Sequence, residues 1–174
     1  MTKVNCGKKL GSYEDEICYK EQGHDGKCYK SLGHEAEDLI QMLLADCGCF
    51  VAKGTIHEDH KLKIDFWVFA QEAKKINGGD EYLPIQFTID KNAACGTKGR
   101  DAIRNGIIII CIEVKELLEW KHSEDSSLRD VVRWRIYREF WDMAEKIVKA
   151  FPYINLTKPK CQLARFKEIV KEVA

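Results

Sequence analysis

The chain has 174 residues, of which 45% are hydrophobic and 32% are charged, with equal numbers of acidic and basic side chains. This length suits one domain with a small appendage, and the apolar content is enough for a core. There is no run near the roughly 18 consecutive apolar residues of a membrane helix, and the start, MTKVNCGKKLGS, lacks the apolar stretch of a signal peptide, so a cytoplasmic protein without membrane contact is expected.

Residues 1–32 are predicted to form a small zinc-binding module. They contain few apolar side chains and cannot close a core alone, so bound metal would supply their folding energy. Their cysteines and histidine have the spacing C-x11-C-x5-H-x3-C, and three thiolates with one imidazole suit a closed, tetrahedral structural site. The predicted ligands of structural Zn²⁺ are Cys6, Cys18, His24 and Cys28. His34 is an alternative ligand, and a flexible tail with free thiols is the alternative interpretation.

Residues 33–114 are predicted to form an α/β core that begins with a helix and two strands. GHEAEDLIQMLLAD (33–46) has its apolar residues at helical spacing, and CGCFVAKG (47–54) is predicted to be a short strand. KLKIDFWVFA (61–70) alternates between apolar and polar residues, as a half-buried strand does. This alternation predicts a polar face formed by Lys63, Asp65 and Trp67.

A third strand, a helix and a fourth strand are predicted to complete this core. LPIQFTID (83–90) alternates again, which predicts that Gln86 and Thr88 share a polar face opposite Ile85 and Phe87. TKGRDAIRNG (97–106) is predicted to be a short helix. The continuous apolar run IIIICIEV (107–114) indicates a strand that is covered on both faces.

Residues 115–174 are predicted to be a C-terminal helical extension packed on the core. Ser127 followed by Asp130 resembles a capping box at the start of a long helix over 128–151, and a last helix is predicted over 160–172. The long helix carries arginines among aromatic residues: Arg129, Arg133, Arg135 and Arg138. Arginines can contact phosphates, but aromatic residues more often pack a helix onto a sheet, and we favour packing.

The polar residues of the two alternating strands predict a second candidate site. If they are neighbours in the sheet, Asp65 and Gln86 converge on one patch. With a nearby glutamate, such an oxygen-rich patch suits Mg²⁺ or Mn²⁺, and the ion can activate water and offset charge on a phosphodiester. The alternative is that both side chains lie on solvated polar faces.

The same segments resemble the PD-(D/E)XK nuclease superfamily, over roughly residues 33–114. The order αβββαβ is that of its restriction-endonuclease-like fold, GHEAEDLIQMLL resembles its opening helix, and KIDFWV resembles the strand that carries its central Asp. QFT resembles its third strand, with a glutamine at the second acidic position as in the Mrr-like branch. The resemblance implies a catalytic Mg²⁺ or Mn²⁺ held by Glu37, Asp65 and Gln86, with Glu35 as the alternative to Glu37.

One position departs from the family pattern, because Thr88 stands where the family has its lysine. Lys63 is the predicted catalytic lysine, since it precedes Asp65 by two residues on the same predicted strand face. Lys91 and Lys98 are the alternatives.

The resemblance implies a metal-dependent endonuclease that hydrolyses nucleic-acid phosphodiesters, with DNA favoured over RNA. The missing lysine leaves two alternatives open. The first is a catalytically inactive nuclease-fold module that binds nucleic acid or a protein partner, including a second copy as a homodimer. The second is a zinc-stabilised interaction protein with an unrelated α/β core.

Overall fold

The computed structural model describes residues 32–55, 57–152, 154 and 156, which form a mixed α/β structure around a four-stranded sheet. The four predicted zinc ligands lie outside the described residues, and so does the predicted last helix over 160–172. Both stay predictions.

The described elements contain the predicted order of helix, three strands, helix and strand, with shorter elements between them. In chain order they are α1 (Leu32–Asp46), β1 (Phe50–Lys53), a π-helical turn (Glu58–Leu62), β2 (Phe66–Phe69), α2 (Gln71–Ile76), β3 (Tyr82–Thr88), α3 (Lys91–Cys95), α4 (Thr97–Arg104), β4 (Ile108–Cys111), α5 (Val114–His122) and α6 (Ser126–Ala150). The sequence patterns missed the π-helical turn, α2, α3 and α5, most of which are too short to show a helical period.

The sheet has the strand order β1-β2-β3-β4. The first two pairs are antiparallel, and β3 pairs with β4 in parallel. A parallel pair needs a crossover connection, which α3 and α4 supply. In the register of the central pair, Phe66 is opposite Ile85, and on the other side of β3 Gln86 is opposite Ile109.

Both faces of the sheet are buried, although the alternation of β2 and β3 predicts half-buried strands, and the alternative of solvated polar faces does not hold for Gln86. One face packs against α1, α5 and α6 in the larger core. The other face packs against α4 in a smaller cluster that includes Trp67, Ala102 and Ile109. Trp67 was predicted on the polar face but is fully buried, because a helix covers this side of the sheet as well.

The strand predicted over 61–70 is shorter than its alternation suggests. Its first residues complete the π-helical turn, and Lys63 follows with the left-handed backbone angles φ 64° and ψ 36°. The prediction that Lys63 shares a strand face with Asp65 is therefore wrong. The turn prevails because its backbone closes on itself: Lys63 N–H donates to Asp59 O and Ile64 N–H donates to Glu58 O.

Helix α6 begins on a different cap from the predicted one. The side chain of Asp125 accepts hydrogen bonds from the N–H groups of Ser127 and Leu128, so the predicted capping box of Ser127 with Asp130 does not form. None of the described helices combines the length and apolar character that a membrane span requires.

Three of the four arginines of α6 make contacts within the fold. Arg129 donates to Ser123 O, Arg133 pairs with Asp130, and Arg135 pairs with Glu119. The buried side of the helix is apolar: Val132, Ile136, Phe140, Trp141 and Ala144. These contacts favour the packing interpretation of this helix over phosphate contact.

Candidate functional site

A cleft of about 560 Å³ lies where α1, the π-helical turn, β3 and α4 meet. It collects the four side chains that were predicted to be catalytic: Glu37, Lys63, Asp65 and Gln86. These residues come from three separate segments of the chain, because Lys63 and Asp65 share one, so the fold brings the three segments together.

Asp65 is fixed against β3 from the residue just before β2. Its N–H donates to Ile85 O at 2.9 Å, and its Oδ2 accepts from Phe87 N–H at 2.6 Å. Continuing the β2–β3 register from Phe66 and Ile85 places Asp65 opposite Gln86. The two polar side chains therefore lie side by side on the sheet face that α4 covers.

Gln86 lies in the middle of the sheet and is only 3% exposed. Its Oε1 is buried and has no hydrogen-bond partner. A buried polar atom without a partner costs roughly 1–3 kcal/mol, so it calls for an explanation. An amide oxygen of a residue that lines one cleft with two carboxylates has the chemistry of a ligand for a hard divalent cation.

Glu37 reaches the cleft from the flank of α1, beside the apolar face that packs on the sheet. Its Oε1 accepts a hydrogen bond from Gln41 Nε2 at 3.0 Å. Burial, followed by the negative charge of Asp65, raises the pKa of Glu37 to about 8. Glu35, the alternative, does not line the cleft, and it pairs with Lys121 on α5 at 3.3 Å.

Burial also raises the pKa of Asp65, to about 6, against the hydrogen bond from Phe87 and the charges of Lys98 and Lys63. The charge of Asp65 opposes ionisation of Glu37, so two partly buried carboxyl groups in one cleft are an electrostatic cost to the fold. A divalent cation bound by both would offset that cost.

The donor set fits magnesium better than zinc. Among the described residues, no three His, Cys, Asp or Glu side chains are grouped as metal ligands. The cleft instead offers two carboxylates and an amide oxygen. Mg²⁺ is commonly held by only one or two carboxylates, with water and substrate phosphate completing its shell, so this set suits it.

Two lysines border the cleft, and the third candidate does not. Lys63 and Lys98 line it, whereas the ammonium of Lys91 pairs with Glu113 on the surface. Thr88, which stands at the family's lysine position, also lines the cleft, and its Oγ1 accepts from Asp90 N–H at 3.2 Å. The structure therefore leaves two cations available to a ligand in this cleft.

A buried glutamate that the sequence analysis missed holds the π-helical turn in place. Glu58 is 3% exposed, and its Oε1 accepts from Trp67 Nε1 at 3.1 Å while its Oε2 accepts from Thr55 N–H at 2.7 Å. Thr55 Oγ1 accepts from Glu58 N–H in return. This reciprocal pair is a capping box, and the sequence signal T-x-x-E in TIHE (55–58) could have revealed it.

The approach of the turn to the sheet also depends on Gly54. A Cβ atom at this position would lie 2.3 Å from Ile64 O, so no larger residue fits without moving the backbone. Gly54 N–H donates to Asp65 O at 2.8 Å. Glu58 and Gly54 together fix the segment that presents Lys63 and Asp65 to the cleft.

The left-handed backbone of Lys63 gives a stability prediction. A residue with a Cβ in this conformation carries a strain of roughly 1–2 kcal/mol that glycine avoids. We expect Lys63→Gly to be more stable than Lys63→Ala by about 1 kcal/mol, measured by urea unfolding, since neither variant keeps the ammonium. Equal stabilities, or a more stable alanine variant, would contradict the left-handed assignment.

A larger groove of about 870 Å³ runs along α6 beside Trp134. Its described lining comes from this one helix and mixes acidic with basic side chains, such as Glu139 and Arg138. It therefore has no converging set of ligands, and the smaller cleft remains the candidate site.

Comparison with known proteins finds no family model, no curated protein and no solved structure that matches this chain.

Proposed function

We propose that the chain is a metal-dependent nuclease of the PD-(D/E)XK type, which hydrolyses phosphodiester bonds in nucleic acid and favours DNA over RNA. One observation carries the proposal: the buried, unpartnered oxygen of Gln86 lies in one cleft with the carboxylates of Asp65 and Glu37. The strand order, with two antiparallel pairs and one parallel pair after an opening helix, supports the family assignment.

In this proposal Glu37, Asp65 and Gln86 hold Mg²⁺ or Mn²⁺. The bound ion supplies positive charge that favours deprotonation of water and offsets charge on the phosphate. Asp65 is held in position by Phe87 N–H, and Glu37 by Gln41, so both ligands are oriented before any substrate arrives. In the reaction, water adds to phosphorus and one P–O ester bond breaks, which yields a phosphomonoester and a hydroxyl group.

The experiment is a cleavage assay on four substrates: single-stranded, duplex and branched DNA, and RNA. Each is incubated with Mg²⁺, with Mn²⁺ and with a chelator. We expect metal-dependent cleavage of at least one substrate. We also expect the cleavage activity to co-elute with the protein in size-exclusion chromatography. Absence of cleavage on all four substrates with both metals would reject the nuclease.

The departure at Thr88 favours one alternative, a catalytically inactive module on the same scaffold. Such a module would bind nucleic acid or a protein partner through the cleft without breaking a bond. The same assay separates the two functions, because the module predicts binding to an oligonucleotide without metal-dependent products.

The N-terminal zinc site is part of the proposal as a structural clasp. We expect elemental analysis of protein purified without chelator to find about one zinc per chain, since three thiolates and one imidazole complete a tetrahedral shell. The double variant Cys18→Ser, Cys28→Ser is expected to lose it. The matched control is Cys47→Ser, Cys49→Ser, which removes two thiols that follow α1. Zinc-free wild-type protein would rule out the clasp.

A further inference from the structure

The cleft contains two lysines in addition to the proposed metal ligands, and Lys98 differs from Lys63 in its position. Helix α4 presents Lys98, Asp101, Ala102 and Asn105 to the cleft, which are the residues of a single helix face. Ala102 is 2% exposed and belongs to the cluster on the sheet face that carries Asp65 and Gln86. Lys98 therefore lies one helical turn before the buried Ala102, on the same face of α4.

The packing of α4 against α3 restricts where Lys98 can lie. Gly99, the next residue, packs so closely on α3 that a Cβ would lie 1.7 Å from Ala94 O. Ile103 is also buried. Sites on helices are held more accurately than sites on loops; Lys98 lies within α4, whereas Lys63 follows the π-helical turn.

The ammonium of Lys98 is available to a ligand. Asp101, the nearest acidic residue on the same helix face, pairs with Arg104 at 3.6 Å. In the described part of the chain Lys98 takes part in no ion pair. Lys98 lines the same cleft as Asp65 and Gln86.

We propose that Lys98 supplies the cation that contacts the scissile phosphate, in place of the lysine that Thr88 has replaced. This inference rests on the proposed function. The charge on a phosphodiester grows at its non-bridging oxygens as water adds, and a fixed ammonium stabilises that charge. Lys98 is thereby the catalytic lysine, and Lys63 is a second cation in the lining of the cleft.

The test compares Lys98→Met, Lys98→Arg, Lys63→Met and the surface control Lys91→Met in single-turnover cleavage at saturating Mg²⁺. We expect Lys98→Met to lose about a hundredfold or more in rate, and Lys98→Arg to recover a large part of it. Lys91→Met, outside the cleft, should stay within about threefold of the wild type, and Lys63→Met should lose less than Lys98→Met. The Mg²⁺ dissociation constant of Lys98→Met should also be unchanged, which a general distortion of the cleft would not allow.

A rate for Lys98→Met within about threefold of the wild type would overturn the inference, and so would a larger loss in Lys63→Met. If the wild type cleaves nothing, the proposed nuclease fails, and binding decides the role of Lys98. In that case a fluorescent oligonucleotide is titrated in the presence of Ca²⁺. A contact with phosphate predicts about tenfold weaker binding by Lys98→Met. Equal binding, or no binding by either protein, rejects the contact.

Discussion

Replacing Asp65 with asparagine is expected to lower the rate of metal-dependent cleavage about a thousandfold. The cation would lose a negatively charged ligand, and such a loss corresponds to several kcal/mol of transition-state stabilisation. The fold should survive, since the asparagine side chain keeps an oxygen that can accept the hydrogen bond from Phe87 N–H. Asp65→Ala removes this acceptor as well, so it is expected to lose both activity and stability.

The measurement is single-turnover cleavage at saturating Mg²⁺, with circular dichroism to verify the fold. Asp142→Asn is the matched control, because it removes an exposed carboxylate on α6 far along the chain from the cleft ligands. Cleavage by Asp65→Asn at a rate within about threefold of the wild type would exclude Asp65 as a ligand of the catalytic cation.

Replacing Glu58 with alanine is expected to destabilise the protein by about 3 kcal/mol or more. The change removes the acceptor of Trp67 Nε1–H and the acceptor of Thr55 N–H, and each lost hydrogen bond to a carboxylate costs roughly 1.5–3 kcal/mol. Glu58→Gln should lose about half as much, since one of its two acceptor oxygens remains.

Urea unfolding followed by circular dichroism gives these free energies. Glu81→Ala is the control, because Glu81 is an exposed partner of Lys74 and exposed ion pairs contribute only about 0–1 kcal/mol. A destabilisation below about 1 kcal/mol in Glu58→Ala would mean that the turn is held by other contacts. The turn leads directly into Asp65, so we also expect weaker metal binding in this variant at temperatures where it remains folded.

The sequence was sufficient for the main elements because their periods are strong. The apolar spacing predicted α1, and the continuous apolar run predicted β4. Both elements form in the structure with these apolar residues buried. Alternation in β2 and β3 was enough to predict that Asp65 and Gln86 share a face, and the register confirms it.

The same alternation misled where a helix covers what looks like a polar face. Residues 61–64 alternate as a strand would, but the closed π-helical turn forms instead, because Glu58 accepts hydrogen bonds from Trp67 Nε1 and Thr55 N–H that hold the turn in place. Burial of Trp67 and Gln86 depends on α4, which begins 30 residues after Trp67 and 11 residues after Gln86. Periodicity within one strand contains no information about such a cover.

The identity of the cationic side chain was also beyond the sequence. The sequence shows where the lysines are in the chain. Which ammonium reaches the cleft depends on how α4 packs through Gly99 and Ala102. Lys91 and Lys98 looked equivalent as residues that follow β3. The structure separates them, because Lys91 is paired with Glu113 and Lys98 borders the cleft.

The central claim is that Glu37, Asp65 and Gln86 form one divalent-cation site, and Mn²⁺ binding tests it most directly. Electron paramagnetic resonance counts free Mn²⁺ during titration of the wild type, of Asp65→Asn and of Gln86→Met, whose side chain has nearly the same shape without the amide oxygen. We predict one Mn²⁺ per wild-type chain and binding weaker by about tenfold or more in both variants. A wild type that binds no Mn²⁺ there, or variants that bind as tightly as the wild type, would contradict the site.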